Sequence, residues 1–494
     1  MNLTDERLRG LDNPSLAPDE RALLRSEVAA DLIHKGRYEA AREALGELWR
    51  GIGERPNVEA LSESTTAEVL LQAGVLSGWI GASKRAEGAQ EAAKDLISES
   101  AALFEKLGES NRAATARAEL ALCYWRVGAY SEARVMLERA AASIENDASL
   151  KAKTVLRFAM VGTSAGRYSD AFYLLREYAP LFDENVSHTL RVGFHNELAR
   201  VLRRLGAAEH RPDYNDRAII EYTAAIFHAE QAGHEQYGAS IENNLAFLLY
   251  KLGRYGDSHE HLDRAQIVLT RLKDAGTLAQ VDETRARVLV AEGKYKDADR
   301  TLAGVLKTLE RGDESALLAD ALTVQGVVWA RLRAYESSIN ILRRAAELAE
   351  TAGAYASAGQ AVLTLIEEHG ATWRMKPDEV YEAYVRADRL LKDTQEAEDL
   401  ARLRACARVI MKRLAVAQFG GKNFTLPGAV HQFEAKLIER ALDEAGGSLT
   451  KAARLLGISH QTLHSILDKR HKPLAGKRKP PQRRLKSIIK EPKE

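Results

Sequence analysis

The stretch Ala118-Glu-Leu-Ala-Leu-Cys-Tyr-Trp-Arg-Val-Gly-Ala-Tyr-Ser-Glu-Ala-Arg-Val-Met-Leu-Glu-Arg-Ala140 decides the fold of most of this chain. Its apolar residues return at spacings of three and four on both sides of Gly128. That is the period of two amphipathic helices, not the alternation of a strand. Gly128 stands where the chain must turn between them, because a residue without Cβ takes left-handed backbone at no steric cost. Ala133 is small enough to let the two helices approach closely, and Tyr130 is expected to pack across the pair.

The phrase Gly-x-Tyr-x-x-Ala in this stretch recurs along the sequence. It stands at Gly36-Arg-Tyr38 to Ala41, Gly166-Arg-Tyr168 to Ala171 and Gly293-Lys-Tyr295 to Ala298, and at Gly253-Arg-Tyr255 with Ser258 in the last place. Arg333-Ala-Tyr335 lacks the glycine, and Gly88-Ala-Gln90 to Ala93 lacks the tyrosine. With Gly206 taken as a degenerate member, the first positions are 88, 128, 166, 206, 253, 293 and 333, a period of about 40. One helix pair cannot bury both its faces, so successive pairs must stack into a superhelix.

These residues resemble the tetratricopeptide repeat, in the longer-helix form of the kinesin light chain type, to which Ile241-Glu-Asn-Asn-Leu-Ala-Phe-Leu-Leu-Tyr250 is especially similar. The resemblance implies an all-α fold: a tetratricopeptide-like α-solenoid of eight to nine helix pairs over residues 20–415, after an N-terminal extension at 1–19. Weak units fall near 60–110 and 205–235, the second with an insertion at Arg211-Pro-Asp-Tyr214. The resemblance also implies that first helices line a concave wall. Aligned on the glycine phrase, its candidate partner-groove residues are Asn196, Arg200, Arg203, Asn243 and Arg287. Amides pair with a ligand backbone and arginines with carboxylates, so the groove suits an acidic protein or peptide segment.

Composition agrees with a helical chain. Charged residues are 29% and aromatics 6%, and 11 prolines in 494 residues leave room for long unbroken helices. The formal charge of +1 averages two unlike parts: residues 430–494 carry 15 Lys+Arg against 7 Asp+Glu, and the remainder is acidic. A basic end on an acidic body indicates that the end meets a polyanion. The two cysteines, Cys123 and Cys406, form no CxxC, so neither a zinc cluster nor a disulfide framework follows, and Cys123 reads as a core residue. The start, MNLTDERLRG, has no apolar signal core, and no apolar run reaches the ~20 residues of a membrane span, so a cytoplasmic protein without membrane contact is expected.

The repeat pattern ends near Val416. Residues 416–428 hold the Gly/Pro-rich Phe419-Gly-Gly-Lys-Asn-Phe-Thr-Leu-Pro-Gly428 and read as a linker. A helix over 429–445 follows, with Phe433, Leu437, Ile438, Ala441 and Leu442 on one face. Gly446-Gly447 stops it. Ser448 or Thr450 caps a second helix containing Lys451-Ala-Ala-Arg-Leu-Leu456, and Gly457-Ile-Ser459 turns into a third over 460–470. Two short helices joined through glycine form a helix-turn-helix. Ala452 and Ala453 mark the crossing, and Leu456, Ile458, Leu463 and Leu467 form a small core.

Leu426-Pro-Gly-Ala-Val-His-Gln-Phe-Glu-Ala-Lys-Leu-Ile-Glu-Arg-Ala-Leu442, followed by Gly446-Gly-Ser-Leu-Thr-Lys-Ala-Ala-Arg-Leu-Leu-Gly-Ile-Ser-His-Gln-Thr-Leu463, is similar to the Fis-type DNA-binding domain found in the factor for inversion stimulation and in the tails of sigma-54 enhancer-binding regulators. The resemblance implies binding of double-stranded DNA as a homodimer, with the first helix helping the subunits pair. The start of the third helix then meets base edges in the major groove, which assigns DNA contact to Ser459, His460, Gln461, Thr462 and His464. Gln461 suits adenine, and Thr462 suits a thymine methyl or a phosphate. The family's usual Arg or Lys is missing from several of these places.

Beyond the helix, Lys469, Arg470, Lys472, Lys477, Arg478, Lys479, Arg483 and Arg484 belong to a run from 469 to 490 with ten basic residues and no acid. The tail at 473–494, broken by Pro473, Pro480 and Pro481, reads as a basic arm that follows phosphates. No Gly-x-x-x-x-Gly-Lys-Ser/Thr loop, Gly-x-Ser-x-Gly elbow or His-Glu-x-x-His occurs, so the sigma-54 ATPase is absent, and neither catalytic nor metal-binding residues nor a cofactor are expected. Two functions fit: a DNA-binding transcriptional regulator whose array receives a partner or signal, or a protein-interaction scaffold with only non-specific DNA localisation.

Overall fold

The computed structural model describes residues 16–34, 37–84, 86, 88–183, 186–311, 315–372, 374–394, 396–417 and 425–477. Among them are twenty-two α-helices and no strand. The chain divides into two compact units, one of residues 1–369 with 382–406 and the other of 370–381 with 407–494. The first contains α1 (Pro18–His34), α2 (Tyr38–Leu45), α3 (Glu63–Lys84), α4 (Ala89–Lys106), α5 (Ser110–Arg126), α6 (Tyr130–Ser143), α7 (Ala148–Ser164) and α8 (Tyr168–Glu177). It continues with α9 (His188–Glu209), α10 (Pro212–Gln231), α11 (Glu235–Lys251), α12 (Tyr255–Leu272), α13 (Ala275–Ala291), α14 (Tyr295–Leu309), α15 (Ser315–Arg331), α16 (Tyr335–Thr351) and α17 (Tyr355–Leu365). Helices α18 (Pro377–Leu390) and α19 (Ala397–Ala417) follow. Neighbouring pairs stack in sequence, as a tetratricopeptide-like α-solenoid requires.

Each repeat phrase performs one mechanical task. The residue in the glycine place has positive φ: +77° at Gly128, +72° at Gly166, +76° at Gly253 and at Gly293. At Gly128 the backbone N–H bonds to Trp125 O, and the next N–H, of Ala129, reaches back to Tyr124 O. This paired closure satisfies two carbonyls left open at the end of α5. The tyrosine two residues on starts the second helix. The residue three further on is buried against the first helix: Ala41, Ala93, Ala133, Ala171, Ser258, Ala298 and Ser338 are all at most 3% exposed. Where serine replaces alanine, the hydroxyl finds a carbonyl on the facing helix, Ser258 Oγ donating to Ala246 O at 2.8 Å and Ser338 Oγ to Gly326 O at 2.6 Å. Close approach is enforced at Gly326, where a Cβ would lie 2.4 Å from Leu342 Cγ.

Two features depart from the sequence expectation. Gly206 is not a turn. It lies inside α9, which runs on to Glu209, and the turn falls at His210 with φ +55°. A Cβ at Gly206 would meet Asn215 Oδ1 at 2.6 Å, so this glycine serves helix contact instead. The inferred insertion at 211–214 is therefore an extra turn of α9 followed by Pro212 at the start of α10, where a missing N–H costs nothing. The phrase also recurs as Gly353-Ala-Tyr355 to Ala358, with φ +73° at Gly353 and Ala358 fully buried, heading α17. It stands 20 residues after Arg333, half a period, and the 40-residue spacing hides it.

The second unit includes α20 (Leu426–Glu444), α21 (Leu449–Leu455), α22 (His460–Lys469) and a 3₁₀ turn at Lys472–Lys477. Helix α20 begins three residues before the expected Ala429, inside the stretch assigned to the linker. Thr425 Oγ1 accepts from Gly428 N at 3.2 Å, and Pro427 sits in the first turn, so Thr-Leu-Pro is a helix start. Ile438, Ala441, Leu442, Ala452, Ala453, Leu463 and Leu467 form the core, with Leu456 and Ile458 half-buried against it. Phe433 and Leu437, expected on the core face, are 52% and 45% exposed.

Candidate nucleic-acid interface and repeat cavity

Helix α22 is aimed by its own inner face. Leu463 and Leu467 are wholly buried, so the intervening positions of a 3.6-residue period turn outward, and Ser459, His460, Gln461, Thr462 and His464 are all exposed. The entry is set by Gly457 at φ +66°, whose following N–H, of Ile458, bonds to Ala453 O. Ser459, in extended conformation, then caps the helix: its Oγ accepts from Thr462 N at 3.0 Å and lies 2.7 Å from Thr462 Oγ1. The first exposed turn of α22 thus holds free backbone N–H groups, a capping hydroxyl and the Gln461 amide together.

Its far end is tied to α20. Glu434 accepts from His471 Nε2 at 3.0 Å and from Arg470 at 3.3 Å, while His431 Nε2 donates to Arg470 O at 2.9 Å. The His471 hydrogen bond, with the Arg470 charge, holds the Glu434 carboxyl below its usual range, against a small cost of burial. Two residues assigned to DNA contact therefore have carboxylate partners: Arg470 with Glu434, and His464, whose Nδ1 is 2.9 Å from Asp468 Oδ2. Lys469 and Lys472 are exposed. Of the tail, Lys472–Lys477 forms a 3₁₀ turn despite Pro473, and Arg478, Lys479, Arg483 and Arg484 lie outside the described residues.

The expected wall residues of the array divide. Arg203 and Arg287 line one cavity of about 480 Å³ with Arg204, Asn244, Phe247 and Lys251. Asn196, Arg200 and Asn243 do not line it. Asn196 donates to Tyr237 OH at 3.1 Å, and Arg200 pairs with Glu197 at 2.8 Å. Asn243 is half-buried, its Oδ1 without a hydrogen-bond partner. The displaced turn explains why the glycine count gives Arg200 in place of Arg204, but not Asn243, which is counted from the true turn at Gly253. Counted back six places from the true turns at His210, Gly253 and Gly293, the wall residues are Arg204, Phe247 and Arg287, and all three line the cavity. Counting from Gly206 shifts the register by four and misses Arg204.

Within the cavity the Arg203 guanidinium lies over the Phe247 ring, 5.6 Å from its centre. Burial lowers its pKa, and the like charges of Arg204 and Arg200 add to this, opposed by Tyr222. Arg287 pairs with Glu283 at 2.6 Å on its own helix. The opposite wall is the start of α19. Glu396 accepts from Tyr168 OH at 2.8 Å and pairs with Arg204, Glu398 pairs with Lys251 at 2.7 Å, and both oxygens of Asp399 lie 3.2 Å from Gln360 Nε2. Burial works to raise the Glu398 carboxyl, but the Lys251 ammonium prevails and holds it low. Among the described residues no group of three or more His, Cys, Asp or Glu is placed to hold a metal ion, and no helix is long and apolar enough to cross a membrane.

Residues 429–469 match the family model described as Bacterial regulatory protein, Fis family. The C-terminal helices are therefore a Fis-type helix-turn-helix, a DNA-binding module. Among solved structures, the apo form of the quorum sensor NprR from B. thuringiensis is similar at 16% identity with a TM-score of 0.50, over 70% of this chain and 92% of that one. A Rap protein complexed with Competence and Sporulation Factor aligns at 17% identity and a TM-score of 0.42, over 74% and 99%. The yeast Tom70 aligns at 13% and 0.45, over 87% and 88%. The likeness to NprR is one of fold, a tetratricopeptide-like helical repeat. No match was found among curated protein sequences.

Proposed function

We propose that this protein is a transcription regulator that acts in the bacterial cytoplasm, binding duplex DNA through α22 and receiving a protein or peptide partner in its repeat array. The observation that carries the reading is the first turn of α22. A capped, exposed helix start presents Gln461 and Thr462, and cations follow at Lys469 and Lys472. Gln461 reads bases, Ser459 and Thr462 hold the backbone, and the basic residues from 469 onward, Arg478, Lys479, Arg483 and Arg484 included, follow phosphates. The exposed stripe Val430, Phe433 and Leu437 on α20 supports pairing of two copies through that helix. Sharing a fold with a quorum sensor supports a signal-receiving array. These are binding roles, and no residue is assigned a catalytic one.

The scaffold reading keeps one favouring observation: His464 is held by Asp468, and α22 offers no Arg or Lys before Lys469. Gel-shift titration of the full chain against random and genomic duplexes separates the two. The regulator selects among duplexes, whereas the scaffold binds them uniformly with a steep salt dependence. Gln461→Ala is expected to lose preference between sites. A chain ending at Lys472 is expected to weaken on all duplexes alike and to bind with a shallower salt slope. Equal loss on every duplex for Gln461→Ala refutes the assignment of base reading.

A further inference from the structure

The cavity of the array has an occupant from the chain itself. Glu396 stands just before α19, and Glu398 and Asp399 lie in its first turn. Yet the partners of the two glutamates lie far back in the sequence, 228 residues away for Tyr168, 192 for Arg204 and 147 for Lys251, while Asp399 meets Gln360, 39 residues back. Each carboxylate meets a different wall group, so a short acidic segment runs along a basic surface as an acidic peptide would.

We infer that Glu396–Asp399 is a built-in competitor, held in the array's basic cavity until an acidic segment of a partner displaces it. The inference rests on the reading of the array as a partner-receiving element, and it names the chemistry and the regulation of that site. Two observations beyond the acidic segment itself support it. One wall cation is left without a carboxylate: Arg203, hydrogen-bonded to Tyr222, has no carboxylate partner among the described residues, and its Nε is buried without a hydrogen bond. A desolvated guanidinium of this kind gains from a carboxylate it does not yet have. The two ion pairs are also of the exchangeable kind: the side chains of Arg204 and Glu396 are 37% and 33% exposed, and those of Lys251 and Glu398 39% and 62%. Asp399, by contrast, is buried against the neutral Gln360 amide and is the anchored end of the segment. Such pairs are weak and salt-screened, so an external carboxylate replaces one without a large loss.

Self-occupancy lowers apparent affinity by the fraction of time the cavity is free. A segment that holds the cavity about nine-tenths of the time weakens an external ligand about tenfold. Its release frees the start of α19, the helix that precedes the helix-turn-helix in the chain.

The test uses the full-length chain and a fluorescein-labelled peptide of residues 394–402 in an anisotropy titration at low salt. The triple variant Glu396→Gln, Glu398→Gln, Asp399→Asn is expected to bind this peptide about tenfold more tightly than the unaltered chain. Adding Arg204→Ala and Lys251→Ala to it is expected to abolish binding. Equal affinity of the unaltered and triple-variant chains, or binding to neither, overturns the competitor. The array as receiver of a non-acidic partner would then stand, and would show itself as equal binding of the peptide with its carboxylates replaced by amides. A second measurement needs no variant. Saturating hexaglutamate is expected to speed amide exchange at 397–404 about tenfold in the unaltered chain, and unchanged exchange overturns the inference.

Discussion

Ser459 offers a test of the DNA interface in which stability and binding move in opposite directions. Its Oγ accepts from Thr462 N at 3.0 Å and contacts Thr462 Oγ1 at 2.7 Å, so it caps the helix that is to enter the groove. Ser459→Ala removes the cap, a loss of about 1 kcal/mol, which speeds amide exchange across 460–469 about fivefold through local opening. Ser459→Asp keeps an acceptor at the same place and adds a charge that the helix N-terminus favours by about 0.3–1 kcal/mol, so exchange stays level or slows. Toward DNA the two changes differ. Alanine weakens binding through fraying of the helix start and through loss of the Ser459 hydroxyl's own contact with the DNA backbone, without adding a repulsion. Aspartate sets a negative charge against phosphates, a repulsion of about 1 kcal/mol at 4 Å in water and about 4 kcal/mol at an effective dielectric of 20. At low salt, therefore, Ser459→Asp loses at least about fivefold in duplex affinity while its helix is as well protected as before. A Ser459→Asp chain that binds duplexes as tightly as the unaltered one refutes the placement of this helix start at the DNA backbone.

Other consequences are more local. Ser338 and Ser258 occupy the same repeat position, but the hydroxyl proton of Ser338 goes to Gly326 O, so the fully buried His369 Nε2, 2.8 Å away, donates to Ser338 Oγ. Ser338→Ala is expected to destabilise its helix pair by about 2 kcal/mol, and Ser258→Ala its own by about 0.5–1 kcal/mol, because only the first strips a buried donor of an acceptor. Amide exchange in 335–351 and 255–272 compares them, and equal losses would contradict this account. The lowered Glu434 carboxyl contributes stability that is present above its unfolded value of 4.5 and is lost as pH falls through the lower folded value. Protection of 460–469 should therefore decline as pH drops below 4.5, and Glu434→Gln should flatten that decline. A Glu434→Gln chain with the same acid profile counts against the Glu434–His471 tie.

The sequence alone determined the helical class, the stacking unit and the identity of the C-terminal module. All three are written in local periodicity: apolar residues at three and four, a positive-φ residue at each turn, and a small residue at each crossing. Such signals survive because each is satisfied within one helix pair, as Gly128 and Ala133 are. Ser459 was legible for the same reason, since a cap acts over three residues. Three things needed the tertiary structure. The turn at His210 carries no glycine, so the register of α9, and with it Arg204, could not be counted correctly. Phe433 and Leu437 share a helical face with core residues, and only the packing of α21 and α22 decides which part of that face is covered. The pairing of Glu396 with Tyr168 and Arg204 joins residues about two hundred places apart. A superhelix brings its distant turns together by the sum of many small rotations, and no local pattern encodes that sum.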